Sequence, residues 1–129
     1  MKFYNKTLNK KFWSEDKKFD PEIREKLLSI SEDFIDSLDL EGIDIHDITL
    51  TGSNSNYNYN DYSDLDVHVL IDYKDINEDE DLVKKAVDGQ RFRWNLRHNI
   101  NLRDHGVEMY MQDKDEPHIA SGLYSLKYS

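Results

Sequence analysis

The sequence predicts an α+β domain: a small mixed β-sheet with helices packed on one face. Three observations predict it. Two runs, 64–73 and 106–113, alternate with the two-residue period of strands, and a third, 45–51, is apolar and β-branched. Two longer segments, from 21 to about 38 and from about 82 to 98, space their apolar residues at the helical period. The elements alternate too closely for separate domains, and 129 residues suit a single core.

Residues 1–19 form a basic arm, with Phe3, Phe12, Trp13 and Phe19 but no clear period. It reads as a loop or arm that docks aromatics on the core, ahead of the main body of the domain over about 20–126. Asp20-Pro21-Glu22 starts the first helix, with Asp as N-cap and Pro at the first helical position. Ile23, Leu27, Ile30, Phe34 and Leu38 form its apolar stripe, and Glu41-Gly42 ends it. The β-branched run 45–51 (IHDITLT) is a strand, and the Gly-, Ser- and Asn-rich stretch 52–63 is a loop. The strongest strand is 64–73 (DLDVHVLIDY). Its alternation puts Leu65, Val67, Val69 and Ile71 on one face and Asp64, Asp66, His68 and Leu70 on the other.

The acidic stretch 75–81 makes a turn and a helix N-terminus, where carboxylates suit the helix dipole. Leu82, Val83, Ala86, Val87 and Trp94 mark the second helix, despite Gly89. In 106–113 (GVEMYMQD), Val107, Met109 and Met111 share one face, and Glu108, Tyr110 and Gln112 the other. Residues 123–128 form a last short strand at an edge. The first two strands are expected to be antiparallel neighbours, and the second helix permits a return crossover that could bring 106–112 beside 64–73.

Composition narrows the function. Cysteine is absent, which excludes a disulfide framework, a thiolate zinc site and a cysteine nucleophile. No apolar run approaches the ~20 residues of a membrane span, and the N-terminus lacks the apolar region of a secretory signal. The expected setting is a cytosol, with no membrane partner. A net charge of −10 argues against a surface that grips nucleic-acid phosphates throughout. The charge is segregated: residues 31–82 hold sixteen acids and one Lys, and residues 83–103 hold six Lys or Arg and one Asp. Neighbouring acidic and basic segments suit a metal-chelated polyphosphate.

Asp64 and Asp66 are two apart on a strand, so their carboxylates point the same way with Cα atoms ~6.5–7 Å apart. Like charges that close share a proton or a cation, and hard oxygen ligands suit Mg²⁺ bound together with substrate phosphates. Glu108 is costly on an apolar strand unless it is paired or metal-bound. It completes a three-carboxylate cluster if its strand neighbours 64–73. Gly52-Ser53 follows directly on a strand, where glycine admits close backbone approach and exposed N–H groups can bind phosphate. Tyr57, Tyr59 and Tyr62 could stack on a base or cap the core, and both readings stay open. Arg91, Arg93 and Arg97 read as exposed helix charge rather than a phosphate clamp, and His68 as a plain sheet-face residue.

The run TGSNSNYNYNDYSDLDVHVL resembles the signature of the nucleotidyltransferase superfamily typified by DNA polymerase beta: Gly-Ser, a spacer, Asp-x-Asp, and a later single carboxylate. The resemblance is closer still to small nucleotidyltransferases of tailed bacteriophages, through LNKKFWSED and VEMYMQDKDEPHIASGLYSL, and spans most of residues 8–126. It implies the polymerase beta-like fold and transfer of a nucleoside monophosphate from an NTP to a hydroxyl, with release of pyrophosphate. It implies two Mg²⁺ ions, with Mn²⁺ as a substitute. Gly52 and Ser53 would hold the β- and γ-phosphates. Asp64 and Asp66 would bind both metals, and Glu108 the metal that activates the acceptor. The acceptor stays open among a small molecule, a protein and an RNA end, as does a homo-oligomer or protein partner. The setting would be a host cytoplasm for a phage-encoded chain. The alternative is a catalytically degenerate module that binds a nucleotide or a partner, suggested by the aromatics of residues 3–19.

Overall fold

A computed structural model of the chain describes residues 7–39, 43–52, 54, 59–60, 63–116 and 123–128. Ser53, Tyr57, Tyr62, Phe3 and the Glu41-Gly42 helix stop lie outside the described residues. The order is α1 (Pro21–Ser37), β1 (Asp47–Thr51), β2 (Leu65–Ile71), a 3₁₀ turn at Tyr73–Asp75, α2 (Glu80–Arg97), β3 (Asn101–Leu102), β4 (His105–Asp113) and β5 (Leu123–Ser125). The five strands form one mixed sheet in the order β3-β4-β2-β1-β5.

The helices start where their caps say they should. The Asp20 carboxylate accepts from the N–H groups of Glu22 and Ile23, with Pro21 just inside the helix. Asp79 does the same for α2 through Leu82 N–H. Helix α1 ends at a Leu38 cap, followed by Asp39 in the left-handed region at φ 54°.

β1 and β2 are antiparallel, as expected from the sequence, and β2 and β4 are parallel with α2 as the crossover that the sequence permitted. β5 pairs with the outer edge of β1. Strand β3 was not expected. It is only two residues long and joins β4 through Arg103 and Asp104, both at positive φ, a tight-hairpin geometry.

Leu65, Val67, Val69 and Ile71 are all fully buried beneath the helices. Ile23, Leu27 and Phe34 of α1 and Val83, Val87 and Trp94 of α2 join them in one core. The Phe34 and Trp94 rings meet edge to face at 5.3 Å, so both helices pack on the same side of the sheet. Two expectations for α2 are corrected: Leu82 and Ala86 face solvent. They lie beside Val83 and Val87 in sequence but about a quarter-turn round the helix. Phe12, Trp13 and Phe19 are buried in the core, held by a bridge between Trp13 and Phe19. That burial removes them as exposed partner-binding aromatics. Among the described residues no helix is long and apolar enough to cross a membrane.

Candidate functional site

The sheet face turned away from the core residues of β2 carries the predicted carboxylates. Register builds it. In the parallel pair, Asp66 stands opposite Glu108, His68 opposite Tyr110, and Leu70 opposite Gln112. On the other side Thr51 stands opposite Asp66. Two acidic residues separated by a helix and a strand thus become Cα partners. Asp64 lies one residue before β2 rather than within it, and is exposed. The strand expected to begin at 64 therefore begins at Leu65.

Each aspartate rests a carboxylate oxygen on a glycine. A Cβ on Gly52, whose φ is +81°, would meet Asp66 Oδ2 at 2.6 Å. No real Cβ contact is that short, and the left-handed backbone independently favours glycine. A Cβ on Gly106 would meet Asp64 Oδ1 at 3.0 Å. Gly106 was not singled out in the sequence, where a glycine opening an alternating run looks like a turn residue. The end of β1 and the start of β4 thus form a side-chain-free floor under the two aspartates.

The position of Asp64 is set by a buried hub. Asn54 is fully buried. Its Nδ2 donates to the carbonyls of Ser63, at 2.9 Å, and Asp64, at 3.1 Å. Its Oδ1 accepts from Asn9 Nδ2 at 2.9 Å, and its carbonyl accepts from Trp13 Nε1 at 2.8 Å. His105 Nδ1 donates to the Ser63 carbonyl at 2.6 Å, which leaves Nε2 to accept from Lys11 Nζ at 3.5 Å. The basic arm therefore braces the approach to Asp64. Sequence reasoning missed Asn54, because one asparagine among several in a polar loop carries no local sign of burial.

Electrostatics mark Asp66 as the strained group. Burial, followed by repulsion from Asp64 and Glu108, raises its carboxyl from an ordinary 3.8 to about 6. Among the described residues no Lys, Arg or His forms an ion pair with any of the three carboxylates. Tyr110 donates to Glu108 Oε2 at 3.4 Å, and burial together with Asp66 and Glu108 pushes its phenol up to about 12. The Tyr110 ring stacks on His68 at 4.8 Å and carries the Arg91 guanidinium 5.1 Å from its centroid. His68 donates from Nδ1 to Gln112 Oε1 at 2.9 Å. Arg91 thus reaches the edge of the carboxylate face, although the sequence suggested only exposed helix charge.

The donor chemistry fits a hard divalent cation: oxygen ligands only, on one face, with uncompensated negative charge at Asp66. As the side chains stand, no three His, Asp or Glu among the described residues converge closely enough to hold an ion. No protein-family model, curated protein or solved structure matches this chain.

Proposed function

We propose that the chain is a metal-dependent nucleotidyltransferase of the polymerase-beta type, moving a nucleoside monophosphate from an NTP to a hydroxyl acceptor. The observation that carries this reading is the Asp66 carboxylate, half-buried against Gly52, opposite Glu108, and without a cationic partner among the described residues. A group arranged so is costly by itself and becomes favourable when a cation joins it.

Asp64, Asp66 and Glu108 would hold Mg²⁺. When bound, Mg²⁺ supplies charge neutralisation at the phosphates and acidifies the acceptor hydroxyl. The acceptor oxygen forms a bond to the α-phosphorus, the bond to the bridging oxygen breaks, and pyrophosphate and the acceptor's proton are released. This chain's own part is mostly positional, as in phosphoryl-type transfer generally. Gly52 leaves room for the Asp66 carboxylate at the end of β1. Tyr110 stays protonated through the neutral range and steadies Glu108 by donating to it. Asn54 and His105 hold the backbone from which Asp64 projects. A cytosol, with abundant Mg²⁺ and NTPs, is the setting this reading implies.

The test is transfer from α-labelled NTPs with Mg²⁺ onto RNA ends, protein hydroxyls and small alcohols. Asp66→Asn should abolish label transfer with its circular dichroism unchanged. Undiminished transfer by that variant would end this site assignment. A second reading, a module that binds nucleotide without transferring it, is favoured by the three carboxylates not converging as they stand. It predicts NTP binding with no pyrophosphate release from any acceptor.

A further inference from the structure

Strand β3 is two residues long, yet it forms against local preference. Its hairpin turns on Arg103 and Asp104, at φ 49° and 69°, where turns of this kind favour asparagine and glycine. The turn is also clamped from outside. Arg103 donates to Asp20 Oδ2 at 3.1 Å and to the Lys11 carbonyl, and its own carbonyl accepts from Lys11 Nζ at 3.3 Å. The N-cap of α1 and the basic arm together fix the hairpin.

What the hairpin places is Asn101, the Cα partner of Gly106. Leu65 is the partner of Val107, so the same register carried back one residue sets Asp64 beside Gly106. Asn101, Gly106 and Asp64 therefore form one row across the sheet, next to the row of Glu108, Asp66 and Thr51. The two polar side chains of the first row meet over the glycine. A Cβ on Gly106 would lie 3.0 Å from Asp64 Oδ1 and 3.8 Å from Asn101 Oδ1. Both side chains thus turn an oxygen toward one small space, which any other residue at 106 would fill. Asn101 is exposed, and among the described residues its carboxamide has no hydrogen-bond partner. A carboxamide oxygen is a hard, neutral ligand. It adds no charge to carboxylates that already repel one another at Asp66.

We propose that Asn101 is a fourth oxygen donor of the carboxylate face, binding through Oδ1 the divalent cation held by Asp64. The inference rests on the transferase reading for the cation itself. It adds a ligand that lies outside the Gly-Ser, Asp-x-Asp and single-carboxylate pattern. It also gives the clamped hairpin a purpose, because a ligand on a loose sheet edge would be poorly placed, whereas one held through Arg103 keeps its position.

The experiment is a Mn²⁺ titration of the full chain at neutral pH without nucleotide, with free Mn²⁺ read by electron paramagnetic resonance. Wild type should bind Mn²⁺, and folded Asp64→Asn/Asp66→Asn should not. Asn101→Leu, close in size but without an oxygen, should bind fivefold or more weakly with unchanged circular dichroism. Asn101→Asp, the same shape with a charged oxygen, should bind fivefold or more tightly. A wild type that binds no Mn²⁺ ends the metal reading and this inference together. Binding that is lost in the aspartate double variant but unchanged in Asn101→Leu leaves the reading standing and overturns the inference alone. That holds even if Asn101→Asp binds more tightly, since an added charge attracts a cation without touching it. An Asn101→Asp chain that binds no more tightly than wild type overturns the inference too, because the amide would then act as a structural donor.

Discussion

Gly52→Ala tests the floor of the site through stability alone. The new Cβ would sit 2.6 Å from Asp66 Oδ2 on a residue whose φ is +81°. Two separate costs follow. An L-residue held in the left-handed region costs ~1–2 kcal/mol. Moving the Asp66 carboxylate off its rotamer to clear the methyl adds ~0.5–1.5 kcal/mol. The sum is ~1.5–3.5 kcal/mol, measurable as a lower urea midpoint with unchanged slope. The contact term can be isolated by repeating the substitution in an Asp66→Ala background, where the carboxylate is absent. Only the backbone cost should then remain, so the double-mutant cycle should return a coupling of ~0.5–1.5 kcal/mol. A loss below ~0.5 kcal/mol in the wild-type background, or equal losses in both, would refute the claim that Asp66 rests on Gly52.

The remaining predictions concern charge, metal and the Asn54 hub. The Asp66 carboxyl is raised to about 6 in the folded chain, so the folded state binds that proton more tightly than the unfolded state. The stability it contributes is therefore full below its ordinary 3.8 and is lost as pH rises through about 6. Metal-free Asp66→Asn should gain stability over wild type across that window and keep the advantage at neutral pH; parallel pH curves in urea titrations would contradict this. Mg²⁺ or Mn²⁺ should raise the wild-type melting temperature, reversibly with EDTA and by an amount growing with the logarithm of concentration, while Asp66→Asn should show no rise. Asn54→Ala should cost ~2–4 kcal/mol in urea unfolding, because the Asp64 carbonyl and the Asn9 amide would lose partners worth ~1–3 kcal/mol each when buried. A cost under ~1 kcal/mol would mean that water replaces the hub easily.

Much of the fold was legible because its signals are local. Asp20-Pro21-Glu22 announced α1, and the strict alternation of 64–73 assigned its two faces correctly, down to buried Leu70 on the polar side. The pairing of Asp66 with Glu108 was accessible as a conditional, since one helix between two strands permits a parallel neighbour. What escaped depends on contacts between distant residues. Asn54 meets Asn9, Trp13, Ser63 and Asp64, and its role appears only once these segments fold together. Gly106 acquires its meaning from the Asp64 oxygen lying over it. Strand β3 is too short to show a period. Leu82 and Ala86 were misassigned because α2 has apolar residues on two sides, and a sequence period cannot say which side meets the sheet. Ser53 lies outside the described residues, so its place at the phosphate end remains an expectation.

The central claim is that the carboxylate face holds a metal-bound nucleotide. Calorimetric titration of ATP, GTP, CTP and UTP with Mg²⁺, into wild type and Asp64→Asn/Asp66→Asn, tests it without knowledge of the acceptor. The account predicts Mg²⁺-dependent binding of at least one NTP by wild type, absent from the folded double variant and absent without metal. No binding of any NTP by the folded wild type, or equal binding by the variant, would contradict it.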